Sequence, residues 1–282
     1  MKLLRHGAPG AEKPGLLDAD GRIRDLSAHV ADIAGAALAP AELARLAALD
    51  PATLPLVADA TRLGACVGAV GTFVGIGLNY ADHAAESGMA IPAEPIVFLK
   101  ATSCICGPND DIVTPVGSTK LDWEVELGVV IGTTARNVAV ATALDHVAGW
   151  CVVNDVSERA FQLERGGTWD KGKGCDTFGP IGPWLVTRDE IPDPSDLALH
   201  LSVDGVTRQR GSTRTMIFSV AEIVSYVSRF LTLRPGDVIT TGTPPGVGMG
   251  HKPEPIFLRP GNVVRLSVAG LGEQIQTVVA PR

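Results

Sequence analysis

The sequence lacks the features that mark nucleic-acid-binding and membrane proteins. Its formal net charge is -7 over 282 residues, so it has no basic excess of the kind that binds a phosphate backbone. No segment approaches the roughly 20 apolar residues of a membrane span. The first residues hold no apolar stretch long enough for a signal-peptide core. We therefore expect no nucleic-acid partner and no membrane partner.

Cysteine is scarce and shows no metal-binding spacing. The 5 cysteines are Cys66, Cys104, Cys106, Cys151 and Cys175, an odd number without a CxxC pair. Cys104 and Cys106 are the nearest pair, and two free thiols are the simplest interpretation. We expect a reduced, cytoplasmic protein.

Glycine-rich segments are present, but none follows a nucleotide-binding pattern. The segment GIGLNY, which begins at Gly75, lacks the GxGxxG spacing of dinucleotide-binding proteins. The segment TTGTPPGVGMG, residues 240–250, lacks the lysine and the Ser/Thr order of a P-loop. We therefore expect neither a dinucleotide fold nor a P-loop.

The chain divides into two regions that differ in their pattern of apolar and turn-forming residues. In residues 1–70, GLLDADGRIRDLS predicts a hairpin turning at Asp-Gly, and leucines recur at helical spacing after Pro40. This predicts a small N-terminal α/β domain over 1–70. Residues 71–282 are predicted to form the catalytic domain.

From about Gly71, short apolar runs are separated by Gly, Pro, Asn and Asp. A hairpin is expected around Asp204-Gly205, and a helix over about 220–231. Many short strands that do not alternate regularly with helices predict an α+β, mainly β fold and argue against a doubly wound parallel sheet.

The segment LDWEVELGVVIG, residues 121–132, places Asp122, Glu124 and Glu126 on one face of a predicted strand. A later apolar strand ends at Asn154, followed by Asp155, with a helix expected from about Ser157. Glu124, Glu126 and Asp155 offer the oxygen ligands that suit Mg2+, Mn2+ or Ca2+. A solvated face of an edge strand explains the two glutamates equally well.

The segment GIGLNYADHAAESG, residues 75–88, predicts a strand followed by a short helix. His83 and Glu86 are three residues apart and so are neighbours on that helix. A carboxylate that orients an imidazole is the arrangement of a general base acting on water. An exposed His–Glu pair is the commoner explanation of such spacing taken alone.

Three further segments offer groups that could bind an anionic substrate. Arg159 and Gln162 share a helix face after Asp155, where they would suit a carboxylate, although an exposed helix has the same pattern. Glycines around Lys173 predict a tight loop whose lysine stabilises an enolate, with Lys171 as the competing candidate and a solvated loop as the alternative. The Thr243 hydroxyl and nearby amides could hold a substrate oxygen, or form a plain turn.

Taken together and in order, these segments resemble the fumarylacetoacetate hydrolase family. The resemblance rests on GIGLNYADHAAE, FLKATSCICGPNDDI, DWEVELGVVIG, AGWCVVNDVSER, KGKGCDTFGPIGPW and PGDVITTGTPPGVG, and covers roughly residues 71–280. It implies a mixed β-roll with short flanking helices, assembled as a homodimer. It also implies a divalent metal, most often Mg2+.

The resemblance implies a role for each candidate residue. The metal ligands would be Glu124, Glu126 and Asp155. His83 and Glu86 would form the base pair on a lid-like helix, and Lys173 would be the active-site lysine. The substrate-contacting positions would be Arg159, Gln162 and Thr243. Asp122 receives no role, and Cys175 stands where an aromatic residue often follows Lys-Gly.

The implied activity is hydrolysis of the C3–C4 bond of a 2,4-diketo acid to give pyruvate. The N-terminal segment MKLLRHGAPGAEKPGLLDADGRIRDLS resembles members that act on sugar-derived acids such as 2,4-diketo-3-deoxy-L-rhamnonate and its L-fuconate counterpart, with lactate as the second product. Three alternatives are decarboxylation of oxaloacetate, isomerisation of a 2-keto acid at the same site, and a non-catalytic member that only binds a metal or ligand.

Overall fold

The computed structural model describes residues 1–58, 61–86 and 90–281. Strands dominate this part of the chain, and its helices are short. No helix in these residues is long and apolar enough to cross a lipid bilayer. Ser87 and Gly88, which end the segment GIGLNYADHAAESG, lie outside the described residues, as does Arg282.

In chain order, the strands are β1 (Lys2–His6), β2 (Lys13–Leu17), β3 (Ile23–Asp25), β4 (Phe73–Gly77), β5 (Ile96–Lys100), β6 (Ile105–Cys106), β7 (Ile112–Val113), β8 (Leu121–Asp122), β9 (Val125–Ile131), β10 (Val147–Asn154), β11 (Ser157–Glu158), β12 (Gly179–Thr187), β13 (Ala198–Val203), β14 (Val206–Ser212), β15 (Val238–Thr240), β16 (Val263–Val268) and β17 (Gly272–Val279). The α-helices are α1 (Pro40–Ala47), α2 (Ala81–Glu86), α3 (Arg159–Leu163), α4 (Asp170–Lys173) and α5 (Val220–Val227). Short 3-10 helices cover Gly35–Leu38, Pro51–Thr53, Thr102–Cys104, Val140–His146, Thr213–Thr215 and Gly248–Gly250.

Most strands join one large sheet of mixed direction. Within the described residues its order is β3-β2-β1-β12-β10-β9-β15-β4-β5, and β6 pairs with β12. Only β15 with β4 and β6 with β12 run parallel in this sheet. A second sheet has the order β14-β13-β16-β17-β7, and β11 pairs with β8. The predicted α+β, mainly β architecture is confirmed.

The N-terminal strands extend the sheet that carries the candidate site. The hairpin of β2 and β3 forms as predicted, and β1 pairs antiparallel with β12. The helix expected after Pro40 is α1, with Pro40 at its first turn. A boundary at residue 70 stays a prediction.

Strands β9 and β10 form the centre of the core. Every residue of both strands is buried, as the near-continuous apolar runs of a two-sided strand require. Gly128 lets the two strands approach, because a Cβ there would lie 2.7 Å from Cys151 Sγ. Functional groups at the ends of β9 and β10 are therefore carried by the most buried part of the fold.

Local interactions explain two of the predicted elements, the turn between β13 and β14 and the start of helix α5. Asp204 and Gly205 both have positive φ values, 51° and 77°, which suits the two-residue hairpin turn between β13 and β14. Helix α5 begins with a capping box between Ser219 and Glu222 and ends at Val227, earlier than residue 231.

Two sequence expectations about the site strands need correction. The single strand predicted from Leu121 is two strands, β8 and β9, interrupted at Trp123 and Glu124. The helix expected at Ser157 begins at Arg159, because Ser157–Glu158 pairs with β8 and the Glu158 side chain accepts from Ala160 N at 3.0 Å.

Candidate active site

The three predicted metal ligands lie together. Glu124 immediately precedes β9, Glu126 is within it, and Asp155 follows β10. One carboxylate oxygen from each residue lies within 4.8 Å of the others. Their exposed fractions are 6%, 1% and 1%. Because β9 lies between β10 and β15 in the sheet, the interpretation as a solvated edge strand is wrong.

Each carboxylate of this cluster is held by different partners. Glu126 Oε2 accepts from Thr240 Oγ1 at 2.5 Å and from Gly242 N at 2.7 Å. Glu124 accepts from Arg159 Nη2 and from Lys173 Nζ, both at 2.6 Å. Glu126 therefore has neutral partners, whereas Glu124 lies between two cations.

The two glutamates consequently differ in proton affinity. Burial raises the pKa of the Glu124 carboxyl, but Arg159 and Lys173 outweigh it and lower this pKa to about 2. Burial, with the negative charges of Asp155 and Glu124 added, holds the pKa of Glu126 well above its usual range. The cluster therefore lacks a positive charge next to Glu126.

The cluster fits a hard divalent cation. Among the described residues around it, the buried carboxylates outnumber the buried cations by one: Asp122, Glu124, Glu126 and Asp155 against Lys100, Arg159 and Lys173. A bound divalent cation would turn this excess of negative charge into an excess of positive charge, which would attract an anionic ligand. The donors are all carboxylate oxygens, which suits Mg2+ or Mn2+ better than zinc or copper.

Arg159 lies at the start of α3 and is 4% exposed. Its Nε donates to Asp122 Oδ2 at 2.8 Å, and its Nη1 donates to Gln162 Oε1 at 3.1 Å. With Glu124 as its third partner, the guanidinium is fixed against protein groups. Arg159 and Gln162 both line the site cavity, so the pair can present its remaining N–H groups to a ligand.

Lys173, and not Lys171, reaches the cluster. Lys173 Nζ donates to Asp155 Oδ2 at 2.8 Å as well as to Glu124, whereas Lys171 is exposed and donates to Arg165 O. Burial lowers the pKa of Lys173, but Asp155 and Glu124 outweigh it, so the ammonium is retained. The expected loop is the helix α4, whose Gly172 packs closely against Gln162.

His83 and Glu86 line the same cavity as the cluster. Both lie on α2, and His83 Nδ1 is 3.1 Å from Glu86 Oε2, as the helical spacing predicts. His83 is only 9% exposed, so the interpretation as an exposed surface pair is wrong. Burial raises the pKa of Glu86, but the His83 ring and the Gly246 N–H outweigh it and lower this pKa.

The segment Gly242–Met249 directs backbone amides to the site carboxylates. Gly242 N donates to Glu126, and Gly246 N donates to Glu86 Oε1 at 3.1 Å. Gly248 N and Met249 N donate to Asp122 at 2.7 and 3.0 Å. We call this stretch the amide-donor segment. Sequence reasoning offered such amides to a substrate oxygen, but these four have protein acceptors.

Thr243 lies in the same segment and faces the cavity. Its hydroxyl donates to Val125 O at 2.9 Å and accepts from Gln209 Nε2 at 2.8 Å. The hydroxyl proton is therefore engaged within the protein, and its second lone pair remains for a ligand.

Asp122 now has a structural explanation. It is fully buried and accepts from Arg159 Nε, from two amides of the amide-donor segment, and from Trp123 N at 2.9 Å. It therefore connects α3 to the segment that also holds Glu86. Sequence reasoning missed this because its partners lie far along the chain.

Sequence reasoning also missed Lys100. Its side chain is fully buried at the end of β5, and Nζ donates to Asp155 Oδ1 at 2.5 Å and to the Lys173 carbonyl. A lysine within the apolar run IVFLK was the available signal, because a buried lysine needs an anionic partner.

A cavity of about 300 Å3 joins these groups. Its lining also includes Phe98 and Trp169, whose ring centroids are 5.4 Å apart. Gly77 makes room for this pair, because a Cβ there would lie 2.4 Å from the Trp169 ring. The cavity is thus lined by both charged and aromatic side chains.

Comparisons with known proteins agree with this geometry. The family model described as fumarylacetoacetate (FAA) hydrolase C-terminal matches residues 72–279. A Burkholderia multivorans protein, whose name gives it provisionally as a hydrolase, is 69% identical over 282 residues, covering 100% of both chains.

Three solved structures extend the comparison. The fumarylacetoacetate hydrolase of Exiguobacterium antarcticum has a TM-score of 0.87 at 37% identity and covers 99% of each chain. A Mycobacterium abscessus protein described as a probable 2-hydroxyhepta-2,4-diene-1,7-dioate isomerase has a TM-score of 0.82 at 33% identity over 100% of both chains. The maleylpyruvate hydrolase of Sphingobium sp. SYK-6, solved with manganese(II) and pyruvate, has a TM-score of 0.81 at 28% identity over 100% of both chains.

The fold and the cavity define a site of the hydrolase or isomerase type, with a buried acidic cluster. The chain belongs to the fumarylacetoacetate hydrolase family.

Proposed function

We propose that this chain is a metal-assisted hydrolase that cleaves the C3–C4 bond of a 2,4-diketo acid and releases pyruvate. The observation that carries the proposal is the buried cluster of Glu124, Glu126 and Asp155, which shares one cavity with the His83–Glu86 pair. The manganese and pyruvate in the Sphingobium structure support it by analogy.

The residues of the site supply the groups that such a reaction needs. A divalent cation held by Glu124, Glu126 and Asp155, which we propose to be Mg2+ with Mn2+ or Ca2+ as substitutes, would supply positive charge to the 2-keto acid end of the substrate. Arg159, held by Asp122 and Glu124, and Gln162, held by Arg159, position the substrate carboxylate. Thr243 offers a lone pair to the bound substrate.

His83 is placed to act as the general base. Glu86 holds its Nδ1, which leaves Nε2 to take a proton from a water molecule that adds to the C4 carbonyl. The C3–C4 bond then breaks with its electron pair on C3, giving the enolate of pyruvate and a carboxylic acid from the tail. The Lys173 ammonium stabilises the enolate until C3 is protonated.

The resemblance of the N-terminal segment makes 2,4-diketo-3-deoxy-L-rhamnonate and its L-fuconate counterpart the first substrates to assay, with pyruvate and L-lactate as products. We further propose that the chain forms a homodimer in the cytoplasm. Its proposed partner is a small-molecule 2-keto acid.

Pyruvate release in the presence of Mg2+, followed with a coupled lactate dehydrogenase, tests the proposal. We expect turnover that EDTA abolishes and Mg2+ restores. Lys173→Met should remove it, whereas the matched variant Lys171→Met, on the same helix but exposed, should not. Turnover that persists in EDTA would overturn the metal assignment.

The likeness to the Mycobacterium abscessus isomerase keeps a second reaction type open. Isomerisation of a 2-keto acid, or decarboxylation of oxaloacetate, needs the same stabilised enolate but no attacking water. Decarboxylation of oxaloacetate by the wild type, without any hydrolysis of diketo acids, would favour a decarboxylase. Metal binding without turnover of any compound would favour a binding protein.

A further inference from the structure

Strand β14 packs directly against the amide-donor segment. A Cβ at Gly246 would lie 1.9 Å from Arg208 O, and a Cβ at Gly211 would lie 2.3 Å from Pro244 Cβ. The two backbones approach this closely because glycine has no side chain at either position. The strand is therefore near enough for one of its side chains to contact groups of the site.

Gln209 is the buried residue of β14, since the other six positions of the strand are exposed or half-buried. An amide is an unusual side chain at such a position, because its burial costs free energy unless its polar atoms find partners. A β-bulge lies immediately before it: Leu201 pairs with Gln209, but Ser202 pairs with Thr207. Bulges of this kind redirect a side chain and are common next to active sites.

Both polar atoms of the Gln209 amide have partners, and these partners fit one orientation. Oε1 accepts from Val125 N at 3.0 Å, and Nε2 donates to Thr243 Oγ1 and to Pro244 O, both at 2.8 Å. The reverse orientation would set the amide oxygen against Pro244 O and the NH2 group against the Val125 N–H. The amide is therefore fixed as a donor toward Thr243.

The fixed amide determines the direction of the Thr243 hydroxyl. The hydroxyl oxygen accepts from Gln209, so its proton is directed elsewhere, to Val125 O at 2.9 Å. The three residues thus close a ring of hydrogen bonds. Thr243 lines the site cavity, and in this arrangement it faces a ligand as an acceptor, so it requires a ligand group that carries a proton.

The metal ligands beside Val125 depend less on Gln209 than Thr243 does. Glu124 N donates to Asn154 Oδ1 at 3.2 Å, and Val125 pairs with Asn154 between β9 and β10. This backbone therefore has anchors of its own. The partners of Thr243 Oγ1 within the described part of the chain are Gln209 and Val125.

We infer that Gln209 is a positioning residue, which acts on ligand binding through Thr243 by holding its hydroxyl as an acceptor. Gln209 is not among the described residues that line the site cavity, so its effect on a ligand is indirect. This inference rests on the proposed function, because it takes the ligand to be a 2,4-diketo acid bound together with Mg2+.

Binding of acetylpyruvate, the simplest 2,4-diketo acid, tests the inference without turnover. Calorimetry is done with saturating Mg2+ on protein that carries His83→Ala and so lacks the proposed base. Gln209→Met should weaken binding by about three- to tenfold, the usual effect of one lost hydrogen bond between neutral groups. Mg2+ affinity should change by less than about twofold. In the active enzyme, Gln209→Met should raise KM and leave kcat nearly unchanged.

Variants of Thr243 show whether Gln209 acts through the hydroxyl. In Thr243→Val, which has no hydroxyl, adding Gln209→Met should cause no further loss of acetylpyruvate binding. In Thr243→Ser, which keeps the hydroxyl, it should cause the full loss. Additive losses in the Thr243→Val background, or a parallel loss of Mg2+ affinity, would overturn the inference and leave the proposed function standing.

Gln274→Met is the matched control. Gln274 is an equally buried amide on β17, and its Nε2 donates to Val152 O at 2.8 Å. None of its hydrogen-bond partners within the described residues lines the site cavity. The control should therefore leave acetylpyruvate binding unchanged, and a loss equal to that of Gln209→Met would count against a specific effect of Gln209.

A second variant keeps the test decisive if Gln209→Met does not fold. Gln209→Glu retains an acceptor for Val125 N but lacks the donor to Thr243, so it should show the same loss of binding. Normal binding by Gln209→Glu would overturn the inference. Failure of the wild type to hydrolyse acetylpyruvate and of His83→Ala to bind it would count against the proposed function itself, and the inference would fall with it.

Discussion

The two walls of the site are built in different ways. On the carboxylate wall, Asp155 and Glu124 flank the central strands and are tied to buried cations from β5, α3 and α4. On the base wall, the helix α2 has six residues, and within the part of the chain that the structure describes its His83–Glu86 pair is held from outside by one backbone amide, Gly246 N. One wall is therefore fixed by the core, whereas the other depends on a short helix and a loop.

The base wall has its firm anchor just before the helix. Asn79 is fully buried, donates to Phe218 O and Thr241 O, and accepts from Phe218 N at 2.8 Å. The position of His83 is thus set from the N-terminal side of α2. Motion at the far end of the helix would change the base without disturbing the metal ligands.

Removing a ligand from the carboxylate wall should have the largest effect. Asp155→Asn removes one ligand, leaves Lys100 without its charged partner and leaves Lys173 with Glu124 alone. We expect kcat/KM to fall by at least ~1,000-fold together with loss of Mg2+ binding in calorimetry. Asp176→Asn, an exposed aspartate nearby, is the control. Undiminished Mg2+ affinity in Asp155→Asn would show that the cluster is not the metal site.

Replacing the base should reduce catalysis without affecting metal binding. In His83→Ala we expect kcat to fall by about 100- to 10,000-fold, the usual contribution of general base catalysis. Mg2+ affinity should be unchanged, because within the described residues the ring is hydrogen-bonded to Glu86 and to no cluster residue. His200→Ala, at a partly exposed position on β13, is the control. A parallel loss of metal binding would mean that the walls are not independent.

Lys100 tests whether the carboxylate wall needs its buried cations. Lys100→Met keeps the length of the side chain but frees Asp155 Oδ1. A lost partner behind a metal ligand usually reduces metal affinity by about 10- to 100-fold, which calorimetry would measure. Lys171→Met serves as the exposed control. Wild-type affinity in Lys100→Met would show that Asp155 is oriented by Lys173 alone.

The smallest effect concerns stability without metal. Because the folded-state pKa of Glu126 is raised, its ionised form destabilises the fold, and this penalty grows as pH rises above the unfolded-state pKa. In EDTA at neutral pH, Glu126→Gln should raise the free energy of unfolding by about 1–3 kcal/mol. The gain over the wild type should disappear below about pH 4, near the unfolded-state pKa.

With Mg2+ added, the order should reverse, since the variant lacks a ligand. Thermal unfolding with and without EDTA at several pH values measures both effects, and Glu254→Gln at an exposed position is the control. A variant that is less stable than the wild type in EDTA would contradict the assigned charge deficit at Glu126.

The sequence predicted those parts of the molecule that depend on local pattern. Alternation and turn residues indicated the mainly β fold and the hairpin at Asp204, and helical spacing placed His83 beside Glu86. The resemblance to the family then assigned Glu124, Glu126 and Asp155 to one metal site. It could not show whether Glu124 and Glu126 were buried, because alternation is the same for an edge strand and a central one.

The contacts that sequence reasoning missed are those between distant positions. Lys100 and Asp155 are 55 residues apart, and Asp122 and Gly248 are 126 residues apart. No periodicity connects such pairs, and they are set by the order of strands in the sheet. The break between β8 and β9 was missed for the same reason, since it follows from the pairing of β8 with β11.

The amide-donor segment has a consequence for mutational mapping. Apart from the Thr243 hydroxyl, its contribution to the site is made by peptide N–H groups, which a change of side chain does not delete. At Gly246 and Gly248 an alanine would place its Cβ 1.9 Å from Arg208 O and 2.0 Å from Ile256 O, so a scan of side chains would report a backbone clash there and not the N–H groups that hold Glu86 and Asp122. Replacing single peptide bonds by esters, which deletes one N–H at a time, would reveal what ordinary mutagenesis overlooks. Anyone redesigning the pocket for a new substrate must keep the path of this backbone while changing its side chains.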